Sequence, residues 1–476
     1  GYAYNTLIAY NRSQSVGGAF LADLYNCTVV GNVAISENAP GIHMVGTEKV
    51  YNCLAFGNTG SPEKPWLADC DIGNLGAGGD VKGTLAGATD SAYVGITLVP
   101  AETQVFADFD HGDFSLWAGS PAFNAGDTTV PLQSVDLAGS ARVLFGAVDA
   151  GAYEYNRLFV SPSGNDASDG RSWSSAKQTI QAAVDAAEAS VVVWVTNGVY
   201  AAGAVASPSD GTSNRVAITK AIRVASVNGP EQTTIRGSGS ETYNTDGAIR
   251  CVFMNSGILD GFTVEGGASR YQDGNEYQRG GGGICIEGAA VGTCVTNCVI
   301  RNNRACTGGG VTGGMNNRGN AAVVDCVITN NVGVYGGGGA YGAIFRRCVI
   351  AHNTAYGTGG GCYEPLVVDT SLVAVNASSD CGGVFGPATL YGSTVANNTG
   401  GGVTGVDWGP GLHLYAYNCI VWGNSAWQWR SPSLTHFASC CCSEAGDGIA
   451  VTSAPLFVDA ANGDFRLKPA SLCIDA

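Results

Sequence analysis

Carboxylates are the residues of this chain whose types and spacing could do chemistry. Asp108, Asp110 and Asp113 fall within six positions of one another, close enough to offer oxygen ligands to one Ca²⁺. Asp260, Glu265, Asp273, Glu276 and Glu287 crowd one irregular stretch, where they could act as general acids or bases, or hold a cation. Each set has a plainer reading. A second copy of the first set reads Asp459, Ala461, Asp464, and the missing middle carboxylate favours a structural turn. Asp260-Gly261 reads as a turn and Glu287 as a solvated strand residue, since charges are usually at the surface. His43, His111, His352, His413 and His436 share no ligand spacing, and Cys440-Cys441-Cys442 has no CxxC pair or nearby histidine to suggest zinc. Trp422, Trp427 and Trp429 could stack on sugars, although packing in a core or cap is the commoner use. No catalytic, cofactor-binding or metal-binding residue is assigned, and no cofactor is expected.

The elements that would have to position such residues are set by a repeat. Asn297-Cys298-Val299-Ile300-Arg301-Asn302-Asn303 returns as Asp325 to Asn331 and again as Arg347 to Asn353. Six more stretches, starting at Thr6, Cys27, Cys53, Ser371, Ser393 and Cys419, share the frame: a small residue, then an Asn five places later at Asn11, Asn32, Asn58, Asn376, Asn398 and Asn424. Starts at 298, 326, 348, 371, 393 and 419 lie 28, 22, 23, 22 and 26 residues apart. Within the phrase the period is two, the signature of a strand. Glycine clusters follow at 308–310, 336–339, 359–361 and 382–383, read as sharp turns made by positive φ. A repeat this short cannot bury its own apolar face and must stack on its neighbours. Crossovers between parallel strands are right-handed. The expected fold is all-β: a right-handed parallel β-helix, in tandem domains with a short capping helix. The Asn positions are expected to point inward and pass amide hydrogen bonds along the axis.

The cysteines fit that frame. The chain has 17, yet Cys27, Cys53, Cys298, Cys326, Cys348 and Cys419 share a register with Thr6, Ser371 and Ser393. A position that accepts Ser or Thr reads as a packed thiol rather than a bridge. Cys294, Cys362, Cys381 and the 440–442 run do not fall in it, and their disulfide state stays open.

With 476 residues, 71 of them Gly, 13% charged and 45% hydrophobic, the chain has ample material for a large core. A net charge of -16 and the lack of any basic run exclude a nucleic-acid partner. No apolar run reaches membrane-spanning length, and no signal-peptide pattern opens the chain.

Taken in order, residues 1 to about 60 read as three coils and 66–105 as a looser excursion or irregular last coils. Asp136 to Tyr155 reads as a terminal cap over the open strands. A second domain opens with a strand at Phe159, an amphipathic helix over 176–189 after Ser175, and a strand at 191–195. The domains are 1–155, the later part of one β-helix with its cap, and 156–476. The second has an amino-terminal cap over 158–200, coils to about 430 and an incomplete cap at its end. The joint from Tyr155 to Leu158 should be short and stiff.

Phe159 to Tyr200, through Ile180-Gln181-Ala182-Ala183-Val184-Asp185-Ala186-Ala187 and Thr196-Asn197-Gly198-Val199-Tyr200, resembles the opening of secreted bacterial β-helix proteins of the pectate-lyase-like superfamily. Asp136 to Tyr155 resembles the closing segment of large bacterial surface proteins of that superfamily. The Gly-Gly-x and x-x-Asn phrases are similar to those of polymorphic outer-membrane passenger domains. The resemblance implies the fold and an exported protein; the fold hosts enzymes, adhesins and structural proteins alike. For lyases it implies a Lys or Arg base beside a Ca²⁺-holding carboxylate cluster, yet no lysine occurs between Lys220 and Lys468. Asn244-Thr245-Asp246 resembles a polygalacturonase motif, but neither an Asp-Asp pair nor Gly-His-Gly accompanies it.

The ends of the chain also match. Tyr25 to Asn32 parallels Tyr391 to Asn398 at an offset of 366, and Phe106 to Ala125 parallels Phe457 to Ala476 at 351. The chain therefore reads as a window on a tandem array. The leading expectation is a structural extracellular repeat protein, at the cell surface, forming a stalk, fibre or adhesive filament with other copies or tandem repeats head to tail. The alternative is a secreted carbohydrate-active enzyme (polysaccharide lyase or glycosidase) or carbohydrate-binding module, with polysaccharide as partner. The residues favour a non-enzyme, and no membrane span is expected in this window.

Overall fold

Two left-handed residues five places apart bracket the phrase that repeats along the chain. They are Asn297 and Asn302 (φ 51° and 55°), Asp325 and Asn330 (53° and 55°), and Arg347 and His352 (51° and 58°). Asn and Asp enter this region most readily, which accounts for their density here; Arg347 and His352 are held there by the coils around them. The computed structural model describes residues 1–476 apart from 36–39, 61–71, 74–79, 88–94, 101–102, 118, 209–210, 240–246, 271–279, 314–320, 407–412, 431–435, 445–448 and 475–476. It divides into a first unit, Gly1–Arg157 with Glu188–Val191, and a second, Leu158–Ala187 with Val192–Ala476.

In the second unit each coil adds a strand to each of three sheets, of eleven, eleven and ten strands. The phrase supplies sheet 2, where Val299, Val327, Val349, Leu372, Thr394 and Ile420 stand in one parallel register. Their neighbours Ile300, Ile328, Ile350, Val373, Val395 and Val421 are fully buried and face the core. Each such side chain contributes about 1.5–3 kcal/mol. Sheet 1 brings in Val295, Val323, Phe345, Val368 and Leu390, and sheet 3 brings Ile284, Val311, Ala340, Cys362 and Val384. The chain is a right-handed parallel β-helix.

At the corner after sheet 2 the asparagines join side chain to side chain. Asn303 bonds to Asn331, Asn331 to Asn353, Asn353 to Asn376, Asn376 to Asn398 and Asn398 to Asn424, at 2.9–3.0 Å. Asn424 donates to Gln428 Oε1 at 2.8 Å, which closes the run. Asn331 uses its whole capacity: Nδ2 donates to Asn353 and to the Ile300 carbonyl, while Oδ1 accepts from the Asn303 backbone and amide. One corner earlier the Cys/Ser position does similar work. Cys298 Sγ donates to the Thr296 carbonyl and Ser371 Oγ to that of Asp369, while Ser371 Oγ accepts the Cys348 N–H at 3.0 Å. A thiol and a hydroxyl both meet this requirement, so the residues interchange.

The glycine clusters correct the expectation of turns made by positive φ throughout. Gly308, Gly337 and Gly359 do have φ near 60°. Gly310, Gly339 and Gly361 do not; a Cβ on Gly339 would lie 2.8 Å from the Gly361 carbonyl and 2.9 Å from Asn353 Nδ2. Close approach of neighbouring coils and the asparagine run excludes a side chain there.

The helix is shorter than expected, Ile180–Ala186, because Ser172 and Ser175 cap each other around a 3-10 turn at Trp173–Ser175 instead. Thr179 caps the helix amino terminus. Ile180, Ala183 and Val184 pack toward strands Val192–Val195 and Ser213–Ile218 of the first coil. At its other end Lys220 Nζ donates to the carbonyls of Val184, Asp185 and Ala187 at 2.7–3.0 Å.

The first unit repeats the design with Asn11, Asn32 and Asn58 bonded in line at 2.9 Å. Of the two readings of 66–105, further coils fit: strands Asp80–Lys82 and Thr84–Ala86 pair with Lys49–Tyr51 and Leu54–Phe56. Thr84 there takes the Cys position, accepting the Cys53 N–H at 3.2 Å. Residues 127–152, which include most of the segment read as a cap, bond along the side of the coils. Asn5 Nδ2 donates to Val135 O, Thr28 Oγ1 accepts from Ala152 N, and Asn52 bonds to Asp127 and Gly151, so three successive coils are engaged.

Candidate functional site

Among the described residues, the carboxylates singled out from sequence do not converge. Asp260 ends a sheet 1 strand, pairs with Arg223 and accepts from Asn297 Nδ2 at 2.9 Å. Glu265 ends the next sheet 2 strand and stands in register between Arg236 and Arg301. Arg236 reaches Oε1 at 2.5 Å and Arg301 reaches Oε2 at 2.9 Å. Burial pushes the Glu265 carboxyl up, but the two guanidiniums outweigh it and hold it below the usual carboxylate range. The trio thus carries one net positive charge on the outer face. An ionised Glu265 cannot be the acid of an acid–base pair at neutral pH. Glu287 is half-buried elsewhere, and Asp273, Glu276 and Asn244-Thr245-Asp246 lie outside the described residues.

Asp108 and Asp113 serve their own hairpin, Phe106–Asp108 with Asp113–Leu116. Asp108 takes His111 Nδ1 at 2.9 Å and its backbone N–H at 3.2 Å, while Asp113 accepts Ser115 Oγ at 2.6 Å. In the second copy Asp459 accepts Asn462 Nδ2 at 2.7 Å, and Asp464 pairs with Arg466. These acids bond within their own turns. Among the described residues no three His, Cys, Asp or Glu side chains group as metal ligands.

The three tryptophans are half-buried. Trp427 packs against Gly401, donates to Thr404 Oγ1 at 3.2 Å and lies under the Arg430 guanidinium, 4.0 Å from the ring centre; Arg430 also pairs with Asp380. Trp429 donates to Ser443 Oγ at 2.9 Å. More exposed are Tyr335 and Tyr356, on neighbouring coils of a short fourth sheet. Their signal in the sequence was a Tyr inside each glycine-rich turn. A cleft of about 440 Å³ beside the helix is lined by Thr179, Gln181, Tyr200 and Arg215, but Arg215 is committed to the carbonyls of Gly203 and Arg236.

The most buried ion pair among the described residues was read from sequence only as part of a cap. Arg142 and Glu154 are both about 1% exposed, with Nε and Oε1 3.2 Å apart. Asp136 accepts the N–H groups of Ser140 and Glu154, and Asp149 those of Asn124 and Tyr155. Burial, then the nearby Asp149 charge, pushes the Glu154 carboxyl up to about 9 against the pull of Arg142. With three carboxyls around one guanidinium, a retained proton is the economical arrangement. The group is sealed from solvent and fastens residues 136–155 together.

No family model and no curated protein sequence matches the chain. Among solved structures, a pectate lyase is similar at TM-score 0.44 and 16% identity, over 66% of this chain and 90% of its own. A pectin methylesterase in complex with a hexasaccharide gives 0.33 and 13%, over 65% and 98%. A rhamnogalacturonan lyase gives 0.29 and 13%, over 60% and 68%. At these values the likenesses carry no argument about activity. No described helix is long and apolar enough to cross a membrane.

Proposed function

We propose that the chain is part of an extracellular repeat protein whose β-helical domains build a surface stalk, fibre or adhesive filament, with tandem repeats or other copies of itself as partners. What supports this is duplication of a whole architecture. Strands Thr28–Val30 and Leu54–Phe56 and hairpin Phe106–Leu116 recur as Thr394–Ala396, Ile420–Trp422 and Phe457–Leu467. In each unit the hairpin folds back onto sheet 2, Phe114 against Tyr10 in the first and Phe465 with Ala374 and Ala396 in the second. A coil phrase alone could arise from solenoid growth; the same appended hairpin is the mark of a repeated domain. Antibodies against residues 158–476 should label intact, unpermeabilised cells of the source; labelling only after permeabilisation would contradict the extracellular reading.

A second reading is favoured by Arg236 and Arg301, half-exposed around one carboxylate in a chain of net charge -16. Two such guanidiniums suit an acidic polysaccharide. If this reading holds, Arg236→Ala with Arg301→Ala abolishes retention on immobilised polygalacturonate, and unsaturated products form with Ca²⁺ present if the chain is a lyase. The structural reading expects neither retention nor products.

A further inference from the structure

We propose that the outer face of the second unit at Tyr391, Thr394, Tyr417, Asn418 and Ile420 is a docking site for a chain segment of the same kind as residues 126–155, entering from the side of hairpin Phe457–Leu467. The first unit supplies the template. Its counterparts at the offset of 366 are Tyr25, Thr28, Tyr51, Asn52 and Leu54, identical in four of five places. All five of those are buried, Tyr25 and Tyr51 at 6% exposure and the others at 0–1%.

Residues 126–152 bury them, and they do so through specific bonds. Asn52 exchanges two hydrogen bonds with the Asp127 backbone, Oδ1 accepting from N at 2.6 Å and Nδ2 donating to O at 3.0 Å. Its own carbonyl accepts Gly151 N at 2.8 Å, and Thr28 Oγ1 accepts Ala152 N at 2.9 Å. Val130 and Leu132 cover the tyrosines. Gly151, at φ 111°, sits so close that a Cβ would lie 2.8 Å from Thr28 Oγ1 and 3.2 Å from Leu54 Cβ.

The second unit keeps the receiving residues without the cover. Tyr391 is 45% exposed, Asn418 is exposed, and Thr394, Tyr417 and Ile420 are half-buried. Tyr391 and Tyr417 stack at 5.3 Å and 13°, presenting an aromatic surface. Asn418 holds the same left-handed backbone as Asn52, φ 55° against 53°. The hairpin that precedes residues 126–155 in the first unit has its equivalent in place on Leu372, Ala374 and Ala396. An outward Asn, Thr and tyrosine pair at these positions is what a returning backbone segment reads: two amide bonds, one hydroxyl acceptor and an apolar cover.

The test is a chain in which residues 126–155 are repeated after Ala476, the register fixed by the alignment of 106–125 with 457–476. Its partner is the same chain with the added segment scrambled at constant composition. Hydrogen exchange of amides over 391–396 and 417–422 is expected to slow by about tenfold or more with the native-order segment only. Thr394→Val in the extended chain is expected to reverse part of that protection. Exchange unchanged by the native-order segment, or slowed equally by the scrambled one, would overturn the proposal.

Discussion

Asn331 Nδ2 lies 3.0 Å from Asn353 Oδ1, and the same oxygen accepts the Asn331 backbone N–H at 3.0 Å. One carboxamide oxygen thus satisfies two donors of the preceding coil, and the pattern passes by direct amide bonds from Asn303 to Asn424. Such a column ties each coil to the next in register, a constraint that apolar stacking alone does not supply.

Asn331→Leu removes this link: the Asn303 N–H loses its acceptor in the core, and Asn353 Oδ1 and the Ile300 carbonyl each lose one donor. The expected cost is on the order of 1–3 kcal/mol, read as a lower urea midpoint. Asn330→Gly, at the adjacent left-handed position (φ 55°), is expected to be neutral or slightly stabilising. Equal midpoints for Asn331→Leu and the parent chain would remove the structural weight placed on the column.

Gly339→Ala should be costly although its φ is ordinary, because the new Cβ meets the Gly361 carbonyl and Asn353 Nδ2 within 3 Å. A loss of about 1–3 kcal/mol is expected. Gly112 has φ 78° but nothing within 4 Å of its Cβ position, so Gly112→Asn should cost much less. The reverse ranking would show that φ, not close approach, selects the glycines.

Stability of residues 136–155 should fall as the solution becomes more alkaline. The Glu154 carboxyl titrates at about 9 when folded and near 4.3 when unfolded. The folded form therefore holds an extra proton between those values. Its contribution is complete below the unfolded pKa and is lost as pH rises through about 9, with a slope of up to about 1.4 kcal/mol per pH unit. Hydrogen exchange over 136–155 checks this, and Glu154→Gln should flatten the profile. Protection that rises from about pH 5 to pH 9 would contradict it.

The thiols of Cys298, Cys326 and Cys348 are buried, and burial raises the Cys348 pKa to about 11. At mildly alkaline pH native protein should resist alkylation there, while exposed Cys440 reacts. Mass spectrometry of unreduced peptides decides the point; a bridge between any two of the three would be incompatible with it.

The phrase from Cys298 to Asn303 made sheet 2 and its two corners legible, because each coil returns the same residue types to the same depth. Sheet 3 was not, since its strands at Val311–Thr312 or Cys362–Tyr363 are two residues long and carry no period. The Arg236–Glu265–Arg301 trio was hidden because its members stand 29 and 36 residues apart, distances fixed by coil lengths that vary. Lys220 was hidden likewise: its role at the helix end depends on a first coil whose path only the fold supplies. The segment at 136–155 reads in sequence as a cap; the lateral path of residues 127–152 follows from Asn5, Thr28 and Asn52, which sequence marks only as turn and strand residues.

The repeat-rod account is tested most directly by electron microscopy of the native, full-length polypeptide isolated from its source. The account predicts an elongated particle or fibre with an axial repeat equal to the length of one β-helix domain, beads succeeding one another along one axis. A discrete particle holding a single β-helix domain, with no axial repeat, would contradict it.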